Sequence, residues 1–229
     1  MRSWSSLLIL LGAAQSFAEP AIVKTDPPCP TDLPARLIRL YPNAASTGRR
    51  VEIAACVFGN FAGPGWIVVH FTPFASGAKP EVAPDGGEVF VRASDQSIVA
   101  RTAIGDSSEG NDVRALDLDG DGVDEIVTLS AQSATGDVVW SAESLAVSRV
   151  RGTQIVSLFF RRISEDAPDD DRRCKGTLTV EPGPDGARYL VVTSTRHGKG
   201  AKDCLAPGRH VFGLSGGRMK EIRKQRNDQ

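Results

Sequence analysis

Val113-Arg114-Ala115-Leu116-Asp117-Leu118-Asp119-Gly120-Asp121-Gly122-Val123-Asp124-Glu125-Ile126-Val127-Thr128-Leu129 reads as a strand, a tight acidic turn and a second strand. Apolar side chains flank the turn on both sides, and Gly120 and Gly122 supply the backbone freedom that a sharp reversal needs. The same punctuation recurs along the chain. Short apolar or alternating runs at 36–41, 50–58, 66–71, 88–93, 97–104, 112–118, 125–131, 144–150, 154–163, 176–181, 188–194 and 209–214 are each bounded by Gly, Pro, Asn or Asp. Val, Ile and Thr dominate them, as pleated surfaces favour. The best helical windows, 31–41 and 139–150, carry too many β-branched or turn-prone residues to hold an i, i+3, i+4, i+7 stripe. The expected fold is all-β: about a dozen short strands in repeated antiparallel units, either a partial β-propeller-like array or a β-sandwich. Three Gly turns running into apolar strands suggest internal repetition. They start at Asn60, Asp117 and Gly183, and their glycines Gly65, Gly122 and Gly186 are spaced 57 and 64 residues apart.

The acidic turn also carries the chemistry. Carboxylates at Asp117, Asp119 and Asp121 alternate, so all three converge if the backbone curls around one point, with Gly122 completing the curl. The Val123 carbonyl then falls seventh in the loop, and Glu125, ninth, closes the shell directly or through water. This many hard oxygen donors suits Ca²⁺ better than the smaller, waterier Mg²⁺. Two unit charges 4 Å apart repel by ~4 kcal/mol at an effective dielectric of 20, so focused carboxylates call for a cation. The alternative is an exposed Asp/Gly turn with its carboxylates splayed into water. Strict alternation plus glycine favours the metal.

The loop departs from an EF-hand, because Thr128 stands where that motif has a bidentate Glu and a strand-like run follows instead of a helix. Asp-x-Asp-x-Asp-Gly-x-x-Glu-Ile-Val between strands resembles the FG-GAP/VCBS calcium-loop repeat of β-propellers. The resemblance covers Asp117–Val127 and implies Ca²⁺ held by Asp117, Asp119, Asp121, the Val123 carbonyl and Glu125, with Asp124 pointing away. It implies a structural ion that pins a turn. The segment at Asn60 keeps one oxygen donor and that at Gly183 keeps Asp185 alone, so this chain is either a reduced relative or shares only the loop.

Residues 1–18 read as a cleavable signal peptide. Arg2 precedes the apolar run Leu7–Ala14, and Ser16-Phe17-Ala18 offers small residues before a cut at Glu19. A membrane span needs ~20 apolar residues, more than this run holds, and no other stretch qualifies. The expected product is secreted or periplasmic. There, four cysteines favour disulfides: Cys29, Cys56, Cys174 and Cys204 allow three connectivities, and proximity in sequence favours Cys29–Cys56 and Cys174–Cys204. No Cys-x-x-Cys pair suggests zinc. Residues 19–34 are an extended Pro-rich lead-in, 35–217 a single β domain, and 218–229 a basic tail that reads as a final strand edge plus a frayed end. The chain of 229 residues carries 27 Lys+Arg against 28 Asp+Glu, a balance that argues against nucleic acid as partner.

Enzyme signatures are thin. His70, His197 and His210 lack a Gly-x-Ser-x-Gly elbow, and there is no His-x-x-x-His pair, phosphate loop or dinucleotide fingerprint. The acidic run Ser164–Arg173 reads as a solvated loop tip. The sequence therefore points to a non-catalytic, calcium-binding, exported binding or scaffold module with a protein or glycan partner. A secreted hydrolase, or a hydrolase accessory or inhibitor protein with a fold-stabilising Ca²⁺, is the rival. A pocket placing His70 or His210 beside a carboxylate and a hydroxyl would favour that rival.

Overall fold

The computed structural model describes residues 26–41, 50–71, 85–102, 105–106, 111–134, 140–167, 172–197 and 204–225. Residues 1–18, read above as a signal peptide, lie outside them, as does the expected lead-in before residue 26. Among the described residues the chain is all-β, with one open sheet of 13 strands and a short helix at its start.

The strands form three successive antiparallel meanders. The first contains β1 (Glu52–Asn60), β2 (Pro64–Phe71), β3 (Asp85–Arg92) and β4 (Ile98–Arg101), with the two-residue β5 (Gly105–Asp106) added to β3. The second contains β6 (Asn111–Leu116), β7 (Glu125–Ala134), β8 (Trp140–Arg151) and β9 (Gln154–Ala167). The third contains β10 (Arg172–Pro182), β11 (Arg188–His197), β12 (Gly208–Ser215) and β13 (Arg218–Gln225). A single parallel pairing, Arg101 with Gln154, ties the first meander to the second. The end of β9 pairs with the start of β10 at Glu165–Cys174. β1 and β13 each have one neighbour, so the sheet does not close.

Alternation along the strands sets the packing. On β2 and β3, Trp66, Val68, Val89 and Val91 face the N-terminal segment, where Leu33, Leu37 and Tyr41 are buried. The opposite faces of the same strands send Ile67 and Phe90 against Ile126, Val150 and Ile155 of the second meander. The second meander's other face sends Val127, Leu145 and Val147 against Leu190, Val192 and Phe212 of the third. The layers thus stack in chain order, and a strand buried on both faces reads as a continuous apolar run, as Trp66–Val69 does.

Two sequence expectations change, at 36–41 and at 164–173. The run 36–41 is not a strand: Leu33–Leu37 form α1, continued by a 3-10 turn over Ile38–Leu40. Five residues cannot sustain a helix alone. Pro34 sits in the first turn, where its missing N–H costs nothing, and Leu33 and Leu37 lie one turn apart in the core. Burying each contributes ~1.5–3 kcal/mol. The expected strand over 144–150 is part of β8, whose serines and alanines alternate with Leu145 and Val147 at period two. The run 164–173 is not simply a solvated tip. Residues 164–167 complete β9, and Glu165 is 2% exposed, accepting hydrogen bonds from Arg162 Nη1 at 3.1 Å and Trp140 Nε1 at 3.3 Å.

Both favoured cysteine pairings are present. Cys29–Cys56 fastens the N-terminal segment to β1, helped by Trp66 Nε1 donating to the Pro27 carbonyl at 3.1 Å. Cys174–Cys204 is buried between β10 and the approach to β12. The opening of the basic tail, Arg218–Gln225, forms β13. No described helix is long and apolar enough to cross a membrane.

Candidate metal centre

The acidic loop connects β6 to β7. Register places its ends: Leu116 pairs with Glu125, so residues 117–124 must reverse the chain within one strand spacing. Gly120 and Gly122 adopt φ of +78° and +80°, the left-handed region that other residues enter at a cost. Asp117 stiffens the turn from within. Its two carboxylate oxygens accept the N–H groups of Gly120 at 2.7 Å and Gly122 at 2.8 Å. Asp121 Oδ1 accepts the Val123 N–H at 2.8 Å. Leu118 points the other way and is 1% exposed, which anchors the loop in the core.

Asp117, Asp119 and Glu125 each offer a carboxylate oxygen, and these oxygens lie within 4.8 Å of one another. Asp121 stands at the rim of this group with its side chain 45% exposed. Val123 is half-buried beside it. Glu125 is the deepest member. It is fully buried, and burial pushes its carboxyl up to about 7, although the Leu118 N–H and Arg149 both favour the charged form. The Leu118 N–H donates to Glu125 Oε2 at 3.0 Å. Three converging carboxylates on a curled, internally braced turn fit a hard divalent cation in donor chemistry.

One partner of the loop comes from far away in sequence. Ile126 pairs with Ser148, and continuing that register sets Arg149 opposite Glu125 on the same face. The Arg149 guanidinium contacts Glu125 Oε1 and lies 3.1 Å from Asp119 Oδ2 and 3.3 Å from Asp121 Oδ2. Burial works against its charge, but Glu125, Asp119 and Asp121 outweigh that and raise its pKa. Removing one member of such a buried pair typically costs 3–5 kcal/mol.

The loop also joins the first turns of the other meanders. Asn60, at the β1–β2 turn, donates its backbone N–H to Asp124 Oδ2 at 2.7 Å and its side-chain amide to the Gly122 carbonyl at 2.5 Å. The Asp124 N–H returns to the Asn60 carbonyl at 2.8 Å. On the other side, Gly120 packs so closely on the β10–β11 turn that a Cβ would lie 2.6 Å from the Asp185 carbonyl oxygen. The three Gly turns noticed in the sequence are therefore the first hairpin turns of the three meanders, and they meet at this loop.

The chain matches no family model, no curated protein and no solved structure.

The two histidines whose side chains are described, His70 and His210, are both buried. His70 is 2% exposed beside the Tyr41 hydroxyl, and burial lowers its pKa. His210 is equally buried, with Nδ1 2.9 Å from Glu221 Oε1 and Nε2 2.7 Å from the Ala206 carbonyl. His197 ends β11. The groove beside the Arg101–Gln154 pairing is lined by Arg101, Thr102, Thr153, Gln154 and Ser157 with apolar neighbours, and there is no histidine or carboxylate among the described residues that line it. Sequence reasoning missed Arg149, Asn60 and the latch role of Asp124. Arg149 lies in no motif, and strand register and turn packing give all three their contacts.

Proposed function

We propose that this chain is an exported, non-catalytic β-sheet module whose 117–125 loop binds Ca²⁺ as a structural ion, in the manner of the FG-GAP/VCBS calcium loop. The observation that carries this reading is the convergence of the Asp117, Asp119 and Glu125 oxygens at the meeting point of three hairpin turns. Asp121 and the Val123 carbonyl complete the shell in this reading. An ion there would fix the loop, and through it the mutual placement of the three meanders. Export rests on the residues 1–18 pattern and is supported by the two disulfides, which persist in oxidising compartments. The module's partner is a protein or glycan.

Thermal melting tests the metal reading. A cation that binds only the folded chain raises its stability by RT ln(1 + [L]/Kd). Calcium at 100 times its Kd therefore stabilises by ~2.7 kcal/mol, and chelator should remove that gain. The double variant Asp119→Ala with Asp121→Ala should melt alike in calcium and chelator. A wild-type melt indifferent to both would overturn the proposal.

A further inference from the structure

We infer that Arg149 competes with the cation for its ligands, so that a divalent ion enters the loop only by displacing the guanidinium. This rests on the metal reading above and concerns how that site is regulated. The guanidinium nitrogens have hydrogens to donate and no lone pair to coordinate with, so Arg149 cannot join an ion's ligand shell. It can only occupy the oxygens the ion needs. Its Nη2 lies 3.2 and 3.1 Å from the two oxygens of Asp119 and 3.3 Å from Asp121 Oδ2, and it contacts Glu125 Oε1 with both Nε and Nη2. Asp117 is engaged on the amides of Gly120 and Gly122, while Asp121 and Glu125 each give Arg149 one carboxylate oxygen and use the other to accept the Val123 and Leu118 N–H groups.

Calcium takes its oxygens at 2.3–2.6 Å. An ion bound at that distance to Asp119 and Glu125 would stand against a positive guanidinium that holds the same carboxylates. The two cannot share the site at full occupancy. The loop therefore has two closed states, one with Arg149 on Asp119, Asp121 and Glu125 and one with the ion in its place, and a single guanidinium offsets only part of the acidic charge that a divalent ion would meet. Displacement costs affinity, as any unfavoured binding-competent state does. The expected half-saturation lies at ~10⁻⁴–10⁻³ M, the range of extracellular calcium modules. The Arg149 side chain is 16% exposed, so its head group has a route to solvent when it leaves.

Isothermal titration of calcium into the wild-type chain and R149M at one ionic strength tests the competition. The variant should bind at least tenfold more tightly, with a larger calcium-induced rise in melting temperature. Equal affinities would overturn the competition while leaving the cation site standing. Binding by neither chain would overturn both readings. Should R149M not fold, NMR on the wild-type chain decides. The Arg149 Nε–H signal should shift, or broaden by solvent exchange, with the same midpoint as calcium binding. A signal unmoved at saturating calcium would overturn the inference.

Discussion

Substituting alanine for Gly120 and, separately, for Gly122 distinguishes a loop that packs against the third meander from one that merely turns. Both glycines have positive φ, of +78° and +80°. An L-residue in that conformation costs ~1–2 kcal/mol, so each variant carries this loss. The surroundings differ. At Gly122 a Cβ meets nothing within 4 Å, whereas at Gly120 it lies 2.6 Å from the Asp185 carbonyl oxygen and 3.2 Å from the Ala187 nitrogen. These are backbone atoms of a tight turn and cannot rotate aside as a side-chain tip would. Overpacking of this kind adds ~1–3 kcal/mol. Gly122→Ala should therefore cost ~1–2 kcal/mol and Gly120→Ala ~2–5 kcal/mol. Urea unfolding in chelator, followed by tryptophan fluorescence, would read the two midpoints at an unchanged m-value, with no contribution from bound metal. Equal losses would refute the packing of this loop on the Asp185 turn, and with it the three-turn junction.

Two further outcomes follow from the same contacts. Asp124→Ala removes the acceptor for the Asn60 N–H and should cost ~1 kcal/mol, because that amide can turn to solvent; Asp124→Asn should recover part of it, and identical melts for all three chains would disprove the latch. Glu88 gives a pH dependence. Burial raises its carboxyl above the usual 4.5, with the Thr128 hydroxyl at 3.3 Å opposing, so the folded chain holds that proton more tightly than the unfolded one. Its contribution is favourable when protonated and is lost as pH rises from 4.5 through the raised value. Glu88→Gln should thus be more stable than wild type at neutral pH, with the difference vanishing below about pH 4; a constant difference at all pH values would contradict this.

The strand pattern was legible because period-two alternation and turn glycines are local signals. They located most strands, including β7, whose acidic entrance is the chain's most specific motif. The run 36–41 misled because a short amphipathic helix and a short strand present similar apolar residues. Only the burial of Leu33 and Leu37 on one side decides between them. The basic tail reads as a final strand edge plus a frayed end, and β13, paired with β12, is that strand. In the site, alternate carboxylates and Gly122 were visible, since a curled turn needs both within a few residues. Arg149 was invisible. It lies 24 residues from Glu125 and becomes its neighbour through the β7–β8 register. Asn60 was read as a weak copy of the acidic turn, and the structure makes it the clasp on that turn. Glu165 in its acidic run looked solvated because burial depends on Arg162 and Trp140 closing over it.

Long-wavelength anomalous diffraction from crystals grown at saturating calcium tests the cation cage most directly. The account predicts one strong peak in the β6–β7 turn, 2.3–2.6 Å from carboxylate oxygens of Asp117, Asp119 and Glu125, with the Arg149 guanidinium moved out. A calcium-saturated crystal with no peak in that turn, and Arg149 still bound to Asp119 and Glu125, would contradict it.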